Sequence, residues 1–320
     1  MIGIKYAALS YTVQKGVHTM ESYFLGANTK AGFSSLYGDF PPKGAYLHVL
    51  KGGPGTGKSS LLKAIARAAR ERGFAAEQVL CSGDPESLDG VYIPALRQAW
   101  ADGTSPHVLE PRLLGVTGDY IDLSAYLILP FSEAEKQELL KLQEQNKACY
   151  RLAYDALAAC AAMGRSKTAA QEDTDVRRLL EELPEKGERK NSRRCYLSAI
   201  SCKGALRLED QLADFAKLPA SPEVLAGGSD QVREKGYEAF LCPSPLDPAI
   251  PEALVLPEEK LCLHAVFQPT EEASGALREA ISHLAQAKQI HDRMELLYRP
   301  HMDFRALSEY TERLIQGLFS

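Results

Sequence analysis

Gly52-Gly53-Pro54-Gly55-Thr56-Gly57-Lys58-Ser59 decides how this chain is read. The stretch satisfies G-x-x-x-x-G-K-[ST], a glycine loop that cradles phosphate. Its flanks agree. Tyr46-Leu47-His48-Val49-Leu50 is a short apolar, β-prone run, and Ser60 to Arg70 is Ala/Leu-rich with apolar residues at helical spacing, stopped by Gly73.

Each residue type in the loop has a physical task. Glycines open backbone conformations closed to other residues and let N–H groups approach phosphate oxygens. The helix start at Ser59 and Ser60 adds unsatisfied N–H donors and partial positive charge. Lys58 is expected to bridge the β- and γ-phosphates of ATP, and the Ser59 hydroxyl to hold Mg²⁺. As a point charge aimed at phosphate, Lys58 is expected to face solvent when no ligand is bound.

Working outward, the chain has 320 residues, 45% hydrophobic and 25% charged, which suits a globular protein of about two domains. A net charge of −5 argues against a broad nucleic-acid surface. Seven cysteines are scattered without a C-x-x-C pair, so reduced, mostly buried thiols in a cytoplasmic protein are expected, with neither zinc site nor disulfide framework. No signal-peptide pattern opens the sequence. No run of about 18 apolar residues predicts a membrane span.

Residues 1–22 read as a leader or an edge strand, and 23–164 as a nucleotide-binding α/β domain. Strands are expected at Ala76–Cys81, Gly90–Pro94 and His107–Glu110, with a short helix at Ala95–Ala101. Alternation of this kind predicts a parallel sheet with helices on both faces. Ser132 starts a long amphipathic helix running to about Met163. Residues 165–194 read as a basic linker with a short helix near Val176–Leu183.

Residues 195–320 echo the first half. Leu25, Ala27 and Gly32 match Leu197, Ala199 and Gly204. Arg70-Glu71-Arg72-Gly73 matches Arg233-Glu234-Lys235-Gly236, and Asp84-Pro85 matches Asp247-Pro248. Leu80-Cys81 pairs with Leu241-Cys242, and His107 with His264. In place of the glycine loop stands Val224-Leu225-Ala226-Gly227-Gly228-Ser229, without lysine and with most of the following helix missing. The second half is therefore expected to be a degenerate α/β repeat of the same type, giving one nucleotide per chain.

Leu25…Gly32, Lys51 to Ser59, Asp84-Pro85 and Ile93-Pro94…Asp102-Gly103-Thr104-Ser105-Pro106-His107 together resemble the tandem P-loop ATPase-like proteins of mostly Gram-positive bacteria. The resemblance covers nearly the whole chain, and D-G-T-x-P-H is its more specific part. It implies a P-loop NTPase fold, ATP binding and hydrolysis. Members usually carry a loop in each half, and this chain departs by losing the second.

A carboxylate must complete the site, normally at the end of a neighbouring apolar strand. Glu110 ends an apolar run. Asp102 disappears from the second half together with the loop and is expected near the phosphates, with Thr104 beside it. Asp84 reads as a turn residue, His107 as structural, and Asp119 and Asp122 as weaker candidates. The sequence lacks N-K-x-D and the transporter signature. A Mg-dependent ATPase leads. A small-molecule or nucleotide kinase with Arg112 and Arg165 in a lid, and a nucleotide-gated binding module for an unidentified partner, are the alternatives.

Overall fold

The structure is a computed structural model that describes residues 20–163, 170–190, 193–208, 210–265 and 270–320. The stretch 1–19 of the expected leader and Arg165 lie outside them. The chain is α/β with mixed sheets. Its first half runs β1 (Ser22–Phe24), β2 (Gly26–Thr29), β3 (Gly32–Ser35), β4 (Tyr46–Lys51), α1 (Lys58–Glu71), β5 (Glu77–Leu80), β6 (Leu88–Ile93), β7 (Gln98–Asp102), β8 (Gly118–Asp122) and α2 (Glu133–Ala162). The second runs α3 (Ala170–Glu182), β9 (Arg193–Arg194), β10 (Ser198–Ser201), β11 (Gly204–Arg207), β12 (Ala216–Pro219), α4 (Pro222–Glu234), β13 (Phe240–Pro243), β14 (Pro251–Leu256), β15 (Leu261–His264), α5 (Glu271–Tyr298) and α6 (Phe304–Leu318).

The first sheet has the order β1-β5-β6-β7-β4-β8. It is mixed rather than parallel, because β6 runs antiparallel to both β5 and β7. The cause is connection length. Residues 81–87 and a single 3-10 turn, Pro94–Leu96, are too short for the crossover that parallel neighbours require. The expected helix at Ala95–Ala101 is this turn followed by β7, and the expected strand at 107–110 has no strand pairing.

Helices cover one face of each sheet, not both. Along β4, His48 and Leu50 alternate with Leu47 and Val49, as strand geometry dictates. Leu50, Trp100 and Val91 meet Leu62 and Ile65 of α1 and Leu307 of α6. Leu47, Val49, Ala99 and Ala101 face the other way, into a core shared with Phe240, Ala253, Val255 and Cys262 of the second sheet. That sheet, β12-β15-β14-β13-β9, carries α3 and α4 on its outer side through Val176, Leu180, Val224 and Leu225. Both faces of each sheet are apolar, and the second sheet supplies the cover that helices would otherwise provide.

The described residues of 165–194 are therefore no free linker: α3 belongs to the second core and β9 to its sheet. Several basic residues of the stretch are paired. Lys186 meets Glu258 and Glu259, and Arg193 meets Glu77 and Glu238.

Contacts between the halves are reciprocal. Phe24 and Tyr196 exchange backbone hydrogen bonds, and the N–H groups of Lys30 and Cys202 donate to the carbonyls of Leu246 and Gly83. Helices α2 and α5 run antiparallel, tied by Arg293 to Glu138 and by Asn146 to the Ala287 carbonyl. Ala153, Leu157, Ala280 and Leu284 form their seam.

Backbone register corrects several sequence matches. Pro94–Leu96 followed by left-handed Arg97 (φ 52°) corresponds to Pro257–Glu259 followed by left-handed Lys260 (φ 49°). The same separation pairs the turn bonds Cys81 N–H to Ser87 O and Ser244 N–H to Ile250 O. Set at that separation, Cys81 falls opposite Ser244 rather than Cys242, Asp89 opposite Glu252, Asp102 opposite Ala265, and Ala101, not His107, opposite His264. Val224–Ser229 lies inside α4, so the helix persists. The connection before α4 is short: only Ala220 and Ser221 join β12 to α4. Only residues 265–270 separate β15 from α5, whereas 103–132 separate β7 from α2.

Candidate functional site

The glycine loop joins the end of β4 to the start of α1, as the local pattern predicts. Gly57, the residue before the helix, takes a left-handed φ of 94°, and Gly55 one of 68°. A side chain in either conformation would be strained. Thr56 is buried and its hydroxyl donates to the Gly53 carbonyl (2.9 Å).

Lys58 does not face solvent. Its side chain is only 13% exposed, and its Nζ donates to the carbonyls of Gly52 (2.7 Å) and Gly53 (2.9 Å). The ammonium is satisfied by these carbonyls and faces one carboxylate. That carboxylate is Asp102, whose Oδ2 lies 3.8 Å from Nζ. The parallel pairing of β7 with β4 sets Leu50 beside Asp102 and brings the carboxylate to the mouth of the loop. The Asp102 Oδ1 accepts from the Thr104 N–H (2.8 Å) and hydroxyl (2.6 Å), a turn that anchors the following segment.

The other expected residues are distributed unevenly. Ser59 Oγ accepts the N–H of Leu88 (3.0 Å), joining the helix start to β6, while Ser60 is exposed. Glu110 stands off Lys58: it pairs with Lys51 (3.1 Å) and Tyr120. Asp119 pairs with His48, and Asp122 caps the turn Leu123–Tyr126. Asp84 accepts turn bonds and meets Lys288 at 3.4 Å. Arg112 is exposed.

A second set of groups lies beside the loop. Asp89, one residue after Leu88, is buried and meets His107 Nε2 at 3.1 Å. Tyr37 donates to the same Asp89 oxygen (3.4 Å). Burial alone would lower the pKa of His107, but the Asp89 carboxylate outweighs it and the net shift is upward. Burial first, then Asp89, pushes the Cys81 thiol well up. Sequence reasoning passed over Asp89 and Cys81. A usable signal existed, since Asp89 and Glu252 precede Ile93-Pro94 and Leu256-Pro257 at equal spacing.

The loop is also covered. A Cβ on Gly53 would meet the Tyr298 ring at 2.6 Å, one on Gly55 would meet Glu295 at 3.1 Å, and one on Gly57 would meet Leu307 at 2.8 Å. The end of α5 and the start of α6 therefore lie directly against the glycines. His291 of α5 pairs with Glu295 (3.4 Å), and burial lowers its pKa.

No helix among the described residues is long and apolar enough to cross a membrane. Compared with known proteins, the chain matches no family model, no curated protein and no solved structure.

Proposed function

We propose that the chain is a P-loop NTPase that binds ATP and Mg²⁺ and hydrolyses the nucleotide at one site per chain, as a tandem P-loop ATPase-like protein whose second half is a degenerate duplicate. The observation that carries this reading is the convergence of Lys58 and Asp102, 3.8 Å apart, at a strand–glycine loop–helix junction. On ATP binding, Lys58 would exchange the Gly52 and Gly53 carbonyls for phosphate oxygens, and the freed Asp102 would orient Mg²⁺ or its water opposite Ser59. The duplicate is supported by the matching turns at Arg97 and Lys260 and by the reciprocal contacts between the halves. It would bind no nucleotide, because Ala220-Ser221 replaces the loop and Ala265 stands at the register position of Asp102.

One observation favours a second reading, a nucleotide-gated binding module with slow turnover: Tyr298, Glu295 and Leu307 rest on the loop glycines. Triphosphate entering beside those glycines would press on α5 and α6, and a partner could sense their shift. Calorimetric titration with ATP tests the common core of both readings. One site per chain is expected, with affinity largely lost in Lys58→Ala; two sites, or an unchanged dissociation constant in the variant, would refute it. Steady-state phosphate release then separates the readings.

A further inference from the structure

The cluster beside the loop points to a second ligand. We propose that Cys81, Asp89 and His107 form a binding site for a transition-metal dication of the zinc class, distinct from the magnesium site expected at Ser59. The three residues come from separate segments: the end of β5, the body of β6, and the loop after Asp102. One ligand atom from each lies within 4.8 Å of the others.

The donor set selects the metal. A thiolate with an imidazole suits zinc-class ions and not magnesium, which prefers oxygen. Zinc bonds of about 2.0–2.3 Å place tetrahedral ligand atoms roughly 3.3–3.8 Å apart, so closing this cluster takes shifts of about 1 Å. Thiolate, carboxylate and neutral imidazole carry two negative charges, which a dication cancels within a buried volume where an uncompensated charge is costly. Three protein ligands leave the fourth position of a tetrahedral ion for water or a bound molecule.

The surroundings are those of a built site. His107 and Asp89 are 7% and 5% exposed. The His107 ring is held by the rings of Phe33 and Tyr37 at 5.1 and 5.0 Å, and the Tyr37 hydroxyl bonds Asp89, an outer-shell contact of the kind that orients ligands. The second sheet provides an internal contrast. Its register positions hold Ser244 and Glu252, and nothing matches His107, because the segment after Asp102 has no counterpart. There Glu252 accepts from the Ser198 hydroxyl instead (2.9 Å). The thiol and the imidazole are thus present only in the half that carries the glycine loop. Bound metal would clamp the 102–107 loop to β5 and β6 and so hold Asp102 in place.

The test is metal binding by the full chain, prepared under reducing conditions, stripped with a chelator and titrated with Zn²⁺ against a competing dye. Co²⁺ substitution provides the spectroscopic probe. The expected result is one Zn²⁺ per chain and a thiolate-to-cobalt charge-transfer band in the near ultraviolet. Cys81→Ser should abolish the band and weaken zinc binding at least about tenfold. Should that variant fail to fold, Asp89→Asn and His107→Gln carry the same expectation for affinity. Cys242→Ser and Lys58→Ala should keep both band and stoichiometry. Zinc bound at background level, a cobalt band that survives Cys81→Ser, or full affinity in Asp89→Asn would overturn the assignment and leave a hydrogen-bonded cluster only.

Discussion

Asp102→Asn separates two roles for one carboxylate. The substitution keeps the local turn, since the amide oxygen can still accept from the Thr104 N–H and hydroxyl. It removes the charge facing Lys58. At 3.8 Å and an effective dielectric of about 20, that attraction is about 4 kcal/mol before desolvation is counted. Both side chains are about seven-eighths buried, with 13% and 14% exposure, so screening by water is limited. The Gly52 and Gly53 carbonyls continue to satisfy the ammonium, which leaves a net loss of about 1–2 kcal/mol, below the 3–5 kcal/mol of a fully buried broken pair. In a chain of this size that lowers Tm by roughly 1.5–3 °C. ATP without magnesium should then raise Tm more in the variant than in the parent, because phosphate meets a lysine with no rival anion. Steady-state phosphate release with Mg²⁺ should fall at least about tenfold, the equivalent of a transition-state contact of about 1.4 kcal/mol. Differential scanning fluorimetry and a coupled phosphate assay read the two effects. A variant that is less stable but hydrolyses ATP at the parent rate would refute the catalytic assignment and leave Asp102 as the counter-ion of Lys58.

Further outcomes follow from other contacts. Tyr298→Ala removes the ring lying on Gly53 and should speed nucleotide association severalfold in stopped-flow fluorescence; an unchanged rate would mean that α5 does not gate the loop. Glu135 completes the capping box of α2, and its bonds to the Ser132 hydroxyl and N–H, then to His301, hold its pKa at about 2. A depressed carboxylate stabilises the fold above its ordinary pKa, near 4.5, and loses that contribution as pH falls toward 2. Glu135→Gln should therefore lower Tm at neutral pH and lose its deficit near pH 2, and a deficit independent of pH would exclude this origin. Ser132→Ala removes the cap itself and should cost about 1 kcal/mol at neutral pH, measured by denaturant unfolding.

Features set by neighbours along the chain were legible in the sequence. The glycine loop, the helix beginning at Lys58, the capped start of α2 and the turn at Asp84-Pro85 each follow from local backbone preference and period. The sequence also singled out Asp102, and the structure sets its carboxylate 3.8 Å from Lys58. Tertiary structure alone decided the rest. Ala95–Ala101 reads as a short helix along the chain, but the place of Gln98–Asp102 between β6 and β4 makes that part a strand and brings Asp102 to Lys58. Cys81, Asp89 and His107 are dispersed in sequence and meet only through the hairpin of β5 with β6 and the loop that follows β7. The loop glycines are covered by helices from the far end of the chain, through Tyr298, Glu295 and Leu307. Periodicity reports which face of an element is apolar. It does not report which distant element covers that face, because burial is rewarded almost irrespective of the partner and shape selects the partner only when the whole chain packs.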